Sequence, residues 1–416
     1  MTPFLRRTLL ALNLLLLLAL VAVTLLVRYT DGAISSPDRI LLGYDEETER
    51  FQIFEFKQYD FGGVDGPYVV GDSVFTVDVR GVMLRQRLVP DSLSTPSLLV
   101  RVDNAARDSF TVRLRAEHRV SQALASMPDT LLAVSDIEGN FDAFVGLLQA
   151  HGVVDAAFDW TFGDGHLVLL GDFVDRGINV TPTLWLIYRL EQQADDAGGQ
   201  VHFLLGNHEA LNVQGRYGYA EPKYVRAAQA IGAGGVRSSE RRIDFRRLFA
   251  DDTELGRWLR AHNAVARIGD VLFAHAGLAP DLVEADLSLD AINTLVRDHL
   301  DDPDLYDAPG DNLEAHLVMS RTGPLWYRGM VRGYKEYYPR ITSEALTRVL
   351  AFYEAEAIVV GHTVVDVVSS DFGGRVLRID VKHGTERRSA ATQGLLFLDG
   401  SPHRINATGA VVALSP

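Results

Sequence analysis

Five apolar runs in this sequence of 416 residues each lead into a side chain that can bind a metal ion. These side chains are two aspartates, an asparagine and two histidines: Asp136, Asp172, Asn207, His275 and His362. Runs such as 131–134 and 167–170 are typical of buried strands. Parallel strands place their carboxyl ends at one edge of a sheet, where α/β proteins bind ligands. We therefore expect the five side chains to meet at one site.

Oxygen and imidazole ligands in this combination suit a pair of divalent cations. A short aspartate side chain can bridge two ions, and ions about 3.5–4 Å apart can together polarise a phosphate and acidify a water molecule. Taken singly, each residue has an ordinary interpretation, because Asp136 could be a turn residue and a lone histidine is more often structural. The strand-end position that all five share favours the metal site.

Two of the strand ends belong to blocks that carry further polar side chains. Residues 171–177 read G-D-F-V-D-R-G and contain Asp175 and Arg176, while residues 206–209 read G-N-H-E and contain His208. With the two later histidines, these blocks resemble the calcineurin-like metallophosphoesterases, whose pattern is D-x-H, G-D-x-V-D-R-G, G-N-H-E, H-[AG]-G and G-H. The resemblance covers roughly residues 131–398. Stretches 212–224 and 323–329 are similar to the bacterial Shewanella-like branch of the phosphoprotein phosphatases.

The resemblance implies a four-layer αββα sandwich with two metal ions between its sheets. It also implies that Asp172 bridges the two ions. The remaining ligands would be divided between the ions, with Asp136 and Glu138 for the first and Asn207, His275 and His362 for the second. By the same resemblance, a metal-bound hydroxide would attack the phosphate.

His208 would be the general acid that protonates the leaving oxygen, with Asp175 orienting its ring. A carboxylate partner raises the pKa of a histidine, which keeps it protonated near neutral pH, as an acid must be. Arg176 would hold the phosphate oxygens with its planar guanidinium. Arg328 is expected by resemblance to be a second phosphate clamp, and the alternative for this arginine is a surface or interdomain ion pair.

The sequence departs from the family pattern at two places. Glu138 stands where the family has a histidine. It either binds the first metal through oxygen, which we favour, or points away and leaves that metal weakly held. Residues 381–384, V-K-H-G, follow a late strand and have no assigned role, so His383 is expected to be a loop residue.

Composition restricts the partners and the metal. The formal net charge of −15 argues against a nucleic-acid binder, because phosphate backbones are held by clustered lysine and arginine. The chain has no cysteine, so any metal is held by oxygen and imidazole. Mn²⁺ is the expected ion, with Fe, Zn²⁺ and Mg²⁺ as alternatives.

The N-terminal region predicts a membrane anchor. Residues 9–27 are apolar except for Asn13 and Thr24, which is long enough for a helix to cross about 30 Å of hydrocarbon. Arg6 and Arg7 before this run favour a cytoplasmic N-terminus and an extracytoplasmic, periplasmic body. A cleaved signal peptide is the alternative, although its apolar segment would be unusually long. A buried core helix fits less well.

Three regions follow from the pattern along the chain. Residues 1–34 form the anchor and linker, residues 35–125 a small β-rich module, and residues 126–416 the metallophosphoesterase domain. Short alternating runs separated by turn residues predict the β module. We expect it to act as a spacer or cover, with substrate binding as the alternative. Alternating strands and helices after residue 130 predict an α/β fold.

The predicted function is a binuclear metal-dependent phosphoesterase of the phosphomonoesterase or protein-phosphatase type. Its substrate would be a phosphoprotein or a phosphorylated small molecule. Two alternatives stay open: cleavage of a nucleotide or dinucleotide polyphosphate, and a phosphate-binding module that has lost turnover.

Overall fold

A computed structural model describes residues 61, 63–79, 81, 83–88, 96–232 and 245–415, and the backbone of three earlier strands. In this part of the chain no helix is both long and apolar enough to cross a membrane. The predicted anchor, residues 9–27, lies outside the described residues.

The chain forms two compact units, Met1–Asp60 and Phe61–Pro416. In the first unit, three antiparallel strands form one sheet: β1 (Ala33–Ser35), β2 (Ile40–Asp45) and β3 (Arg50–Glu55). All other described elements belong to the second unit.

The second unit begins with a three-stranded antiparallel sheet and a hairpin. The sheet contains β4 (Asp65–Val70), β5 (Ser73–Val77) and β6 (Met83–Arg87), and the hairpin contains β7 (Ser97–Arg101) and β8 (Ser109–Arg113). Buried and exposed residues alternate along the hairpin, as its sequence predicted. Its inward Phe110 stacks on Phe141 with ring centroids 6.2 Å apart, so these strands share a core with the elements that follow. Whether residues 35–125 form a separate module stays a prediction.

Two six-stranded sheets make up the rest of the second unit. Its strands are β9 (Leu124–Ala125), β10 (Thr130–Val134), β11 (His166–Leu169), β12 (Gln200–Phe203), β13 (Val265–Ile268), β14 (Val271–Ala274), β15 (Ala357–Val360), β16 (Ser369–Asp371), β17 (Val376–Arg378), β18 (Gln393–Leu398), β19 (Ser401–Asn406) and β20 (Val411–Ala413). The first sheet has the order β12-β11-β10-β18-β19-β20, and the second has the order β16-β17-β15-β14-β13-β9. Strands β10, β11 and β12 run parallel, as do β14, β15 and β17.

The helices connect these strands. They are α1 (Phe141–Ala150), α2 (Val180–Ala197), α3 (Asn207–Val213), α4 (Pro222–Gly232), α5 (Glu254–Arg260), α6 (Pro280–Glu284), α7 (Leu289–Asp298), α8 (Leu313–Met319) and α9 (Ser343–Phe352). Helix α2 packs on β12 of the first sheet, and α7 packs on β13 of the second.

The apolar faces of the two sheets meet in one buried cluster. Leu131 of β10 points into it, together with Phe273 of β14 and Phe397 of β18, whose rings touch edge to face at 6.4 Å. The next residue along β10, Leu132, belongs to the larger core that includes Trp185 of α2. Because side chains alternate along a strand, each sheet has one face towards its partner sheet and one towards helices. The predicted mixed α/β fold is confirmed.

Candidate active site

His275 lies at the centre of the strand-end residues. Its Nδ1 is 2.6 Å from the carbonyl oxygen of Leu170, which can only accept, so Nδ1 carries the proton. Its Nε2 lies 2.9 Å from Asn207 Oδ1, 3.2 Å from His362 Nδ1 and 3.2 Å from Asp172 Oδ2. One ring proton cannot satisfy all three neighbours, whereas a divalent cation can bind all of these atoms. A second ring nitrogen held by a backbone carbonyl is also typical of metal-binding histidines.

The electrostatics of this group favour a cation. Although burial lowers it, Asp172 and Asp136 raise the pKa of His275 to about 10. Burial alone would raise the pKa of Asp172, but His275 and His208 lower it overall. A field that holds a proton on a buried imidazole also attracts a metal ion. Ligand atoms of Asp172, His275 and His362 all lie within 4.8 Å of one another.

The other two predicted ligands stand beside this group. Asp136 Oδ2 accepts hydrogen bonds from the His362 backbone N–H at 3.1 Å and from the Ser135 hydroxyl. Burial raises the pKa of Asp136 to about 6. Glu138 forms an ion pair with Arg176, and burial raises its pKa to about 7. The structure therefore turns Glu138 towards the predicted phosphate clamp, and metal binding by Glu138 stays a prediction.

His208 has the surroundings of a general acid. Its Nδ1 donates to Asp175 Oδ2 at 2.6 Å, and its Nε2 lies 3.9 Å from Asp172 Oδ2. Burial lowers its pKa, but Asp172 and the hydrogen bond to Asp175 outweigh this and raise the pKa to about 9. The imidazole is therefore protonated at neutral pH, with Nε2 on the side of the metal-binding group.

Arg328 is held against the backbone of the site. Its Nη1 donates to the carbonyl oxygen of His362 at 2.7 Å and to Thr363 Oγ1 at 3.3 Å. Among the described residues, no carboxylate lies within ion-pair distance of Arg328. The guanidinium thus sits beside a predicted metal ligand, and its role as a phosphate clamp stays a prediction.

A buried glutamate that the sequence reasoning passed over ties the two central turns together. The Glu209 side chain is fully buried and accepts backbone N–H bonds from Asp172 at 2.8 Å, Phe173 at 2.9 Å and Gly206 at 2.8 Å. Gly206 must be glycine, because a Cβ there would lie 2.3 Å from Asp172 Oδ1. Glu209 is the last residue of the G-N-H-E block, which could have indicated its importance. The sequence predicted roles only for the two residues before it, Asn207 and His208.

Several site residues have left-handed backbone. Six of them have φ between 50° and 69°: Asp136, Glu138, Asp172, Asp175, Arg176 and His362. This conformation costs a non-glycine residue roughly 1–2 kcal/mol, and such strain concentrates at functional sites. Sharp turns of this kind let consecutive side chains at one strand end converge.

Asp380 and His383 also adjoin the site. A cavity of about 720 Å³ is lined by both, together with Asp136, Glu138 and Arg176. Asp380 is 3% exposed, and burial followed by the charge of Asp136 raises its pKa to about 9. His383 lies outside the helices and strands, as expected of a loop residue, and its Nε2 donates to the Ser135 carbonyl oxygen at 2.8 Å, so this loop packs against the site. Asp380 follows β17 as the predicted ligands follow their strands, a signal that the sequence reasoning missed.

Comparison with known proteins agrees with this geometry. A family model described as calcineurin-like phosphoesterase matches residues 130–366, more than half of the chain. The chain is similar to the crystal structure of a cold-active protein-tyrosine phosphatase of a psychrophilic Shewanella species. The identity is 28%, the TM-score is 0.71, and the match covers 85% of this chain and 99% of that one.

Two curated sequences are similar to more than half of this chain. An uncharacterised protein of Schizosaccharomyces pombe is 29% identical over 265 residues, covering 62% of this chain and 74% of its own. Shewanella-like protein phosphatase 2 of Arabidopsis thaliana is 23% identical over 300 residues, covering 64% and 74%. The resemblance inferred from the sequence blocks is confirmed.

The His208–Asp175 pair generates the first prediction. Asp172 and Asp175 together hold the proton on His208, and Asp175→Asn removes the second of these charges, so the His208 pKa should fall below about 9. Titration of the ring by NMR in labelled protein measures the change. Asp142→Asn, at a carboxylate paired with Arg387 instead, should leave the His208 pKa unaltered. A His208 pKa that stays near 9 in Asp175→Asn would contradict the assignment.

Proposed function

The chain belongs to the calcineurin-like phosphoesterase family, and we propose that it hydrolyses phosphomonoesters at a pair of divalent metal ions. The observation that carries the proposal is the convergence of Asp172, Asn207 and His362 on Nε2 of His275, with His208 beside them. A divalent cation would satisfy these neighbouring ligand atoms together, which a single ring proton cannot do.

Six side chains would hold the two ions. Asp172 would bridge them; Asn207, His275 and His362 would complete one ion, and Asp136 and Glu138 the other. When bound, the ions would polarise the phosphate and lower the pKa of a water molecule. Mn²⁺ is the ion we propose, because carboxylate and carbonyl oxygen suit it and the chain has no cysteine.

The chain's own residues supply the proton and the phosphate contacts. His208 would donate the Nε2 proton to the leaving oxygen, and Asp175 would keep the ring charged and oriented. Arg176 and Arg328 would hold the remaining phosphate oxygens with planar guanidinium groups. In this structure Nη1 of Arg176 contacts Glu138, so the phosphate would take the other N–H groups or compete with Glu138 for Nη1.

The names of two similar proteins support a proposal for the substrate class. The similar Shewanella structure is a protein-tyrosine phosphatase and the similar plant protein is named a protein phosphatase. We therefore propose phosphomonoesters of proteins, or of small molecules, as substrates of this chain.

The second prediction tests this function. The purified full-length chain should hydrolyse an aryl phosphate, and chelation followed by Mn²⁺ addition should abolish and then restore the activity. A phosphodiester and a dinucleotide polyphosphate, assayed side by side, separate the monoesterase from its enzymatic alternative. Protein that binds phosphate but turns over none of the three, with any divalent ion, would be a binding module instead.

Glu138 carries a proposal of its own. We propose that it binds the first metal through oxygen and that the ion competes with Arg176 for its carboxylate. A carboxylate in place of imidazole adds negative charge beside the metal, which favours harder ions such as Mn²⁺ and Mg²⁺ over Zn²⁺.

The third prediction concerns metal content. Glu138→Ala should lower the bound metal from two ions per chain towards one, and Glu138→His should shift preference from Mn²⁺ towards Zn²⁺ in competitive dialysis. Metal analysis of the dialysed protein gives both results. Glu354→Ala, at a surface glutamate paired with Arg267, is the control and should keep the wild-type content. Wild-type content in both Glu138 variants would place Glu138 outside the metal site.

We further propose that residues 9–27 anchor the protein in the cytoplasmic membrane, with the catalytic unit outside the cytoplasm. Support comes from the apolar run and from Arg6 and Arg7 before it.

The fourth prediction uses the absence of cysteine from the chain. Ser35→Cys should react with a membrane-impermeant thiol reagent in intact cells, or in spheroplasts if an outer membrane intervenes. The parent chain, which has no thiol, measures background labelling. Labelling that requires lysis of the cytoplasmic membrane would reverse the proposed orientation.

A further inference from the structure

Tyr219 presents an exposed aromatic ring directly beside the proposed acid. Its ring centroid lies 4.9 Å from that of His208, in an edge-to-face arrangement. The guanidinium carbon of Arg176 lies 5.7 Å from the same ring. Tyr219 is nevertheless 55% exposed. The ring therefore contacts two proposed catalytic-site groups and keeps much of its surface free for a ligand.

The main chain fixes this position independently of the tyrosine side chain. The backbone N–H of Arg176 donates to the carbonyl oxygen of Tyr219 at 3.0 Å, and the Ala220 N–H donates to the carbonyl oxygen of Tyr217 at 3.2 Å. The Tyr219 hydroxyl makes no hydrogen bond to any described residue. The side chain is therefore not required to hold the loop, and its replacement should leave the loop in place.

The position of a leaving group follows from the proposed chemistry. If His208 protonates the leaving oxygen, the atoms attached to that oxygen must lie next to the imidazole, on the side open to solvent. In an aryl phosphate the oxygen is bonded directly to a ring, whereas in an alkyl phosphate it is bonded to a narrow CH₂ or CH group. Only the first can place an aromatic face against Tyr219.

We propose that Tyr219 forms a subsite for aromatic leaving groups and that its ring raises kcat/KM for phosphotyrosine-like esters relative to phosphoserine-like ones. The inference rests on the proposed phosphomonoesterase function and assigns a specificity-determining residue to it. Two exposed apolar side chains, Ile178 and Val364, line the cavity that Arg176 also lines, which adds apolar surface near the clamp. An aromatic pair of this kind contributes an advantage of about 3- to 10-fold beyond buried area.

A competing role for Tyr219 would be to position His208. Edge contact with the ring could orient the imidazole or stabilise its charge. If this were its role, replacing Tyr219 would shift the substrate preference in the opposite direction, towards aryl phosphates. A weakened acid harms alkyl phosphates more than aryl phosphates, because phenolate is a good leaving group that needs less help from a proton.

The fifth prediction uses this difference in sign. Two peptides of one sequence, carrying phosphotyrosine or phosphoserine at the same position, are assayed for kcat/KM with the full-length chain. Tyr219→Leu should lower the ratio of the phosphotyrosine value to the phosphoserine value by about 3- to 10-fold. Tyr219→Phe keeps the ring and should keep the wild-type ratio.

Tyr217 provides a matched control on the same loop. It is 42% exposed and its ring packs on Phe245, 5.7 Å away, rather than on His208. Tyr217→Leu removes an exposed tyrosine of the same loop and should leave the ratio as in the wild type. A fall of equal size in Tyr217→Leu would show a general loop effect and overturn the subsite.

Inhibition by unreactive phosphonates gives a readout without turnover. Benzylphosphonate should bind Tyr219→Leu about 3- to 10-fold more weakly than the wild type, while ethylphosphonate should bind both equally. A rise in the kcat/KM ratio, or an unchanged ratio with unchanged benzylphosphonate inhibition, would overturn the proposal. Wild-type protein that hydrolyses neither peptide and no small phosphomonoester would instead refute the proposed function, and this is seen before any variant is made.

Discussion

The carboxylate of Glu209 holds the proposed catalytic site in register. It is buried, no described lysine or arginine pairs with it, and it accepts three backbone N–H bonds from two separate strand ends, those that follow β11 and β12. A buried carboxylate is costly unless hydrogen bonds satisfy it, so these three donors fix both turns relative to one another. Asp172, Asn207 and His208 then approach from adjacent strands, and glycine at 206 permits the contact. Substitution of Glu209 would loosen the site without removing any residue that touches the phosphate.

The remaining geometry combines rigid strands with strained turns. Strands β10 and β11 run parallel in one sheet and β14 and β15 in the other, and left-handed residues just beyond β10, β11 and β15 bend the chain sharply. Each such turn is unfavourable alone and persists because the surrounding core determines it. The result is a set of acceptor atoms that are close before any ion arrives. Preorganisation of this kind lowers the cost of assembling a charged site.

The main site residues could be predicted from the sequence because strand ends and short motifs such as G-N-H-E are local signals. The five strand-end residues each follow an apolar run, and the structure brings them together from two sheets: Asp136, Asp172, Asn207, His275 and His362. Contacts between side chains of segments that are distant in the sequence could not be predicted. The pairing of Glu138 with Arg176 and the approach of Tyr219 to His208 join residues 38 and 11 positions apart, and no periodicity encodes them.

Asp380 was missed because the strand before it, β17, is only three residues long and gives a weak apolar pattern. The sequence predicted short strands in this region, but it did not predict the core that the hairpin β7–β8 shares with α1, because alternation does not indicate which element a strand packs on.

If Glu138 binds metal as proposed, its ion pair with Arg176 couples metal binding to phosphate binding. One carboxylate cannot serve a guanidinium and a metal ion at full strength, so cation uptake and release of the arginine are linked in free energy. Without metal, Glu138 holds part of the guanidinium, and phosphate binding by Arg176 would be weakened. With metal bound to Glu138, the whole guanidinium would be available to the phosphate. Metal-free protein would therefore bind phosphorylated ligands weakly. Metal-free copies would leave their substrates available to the metal-loaded ones.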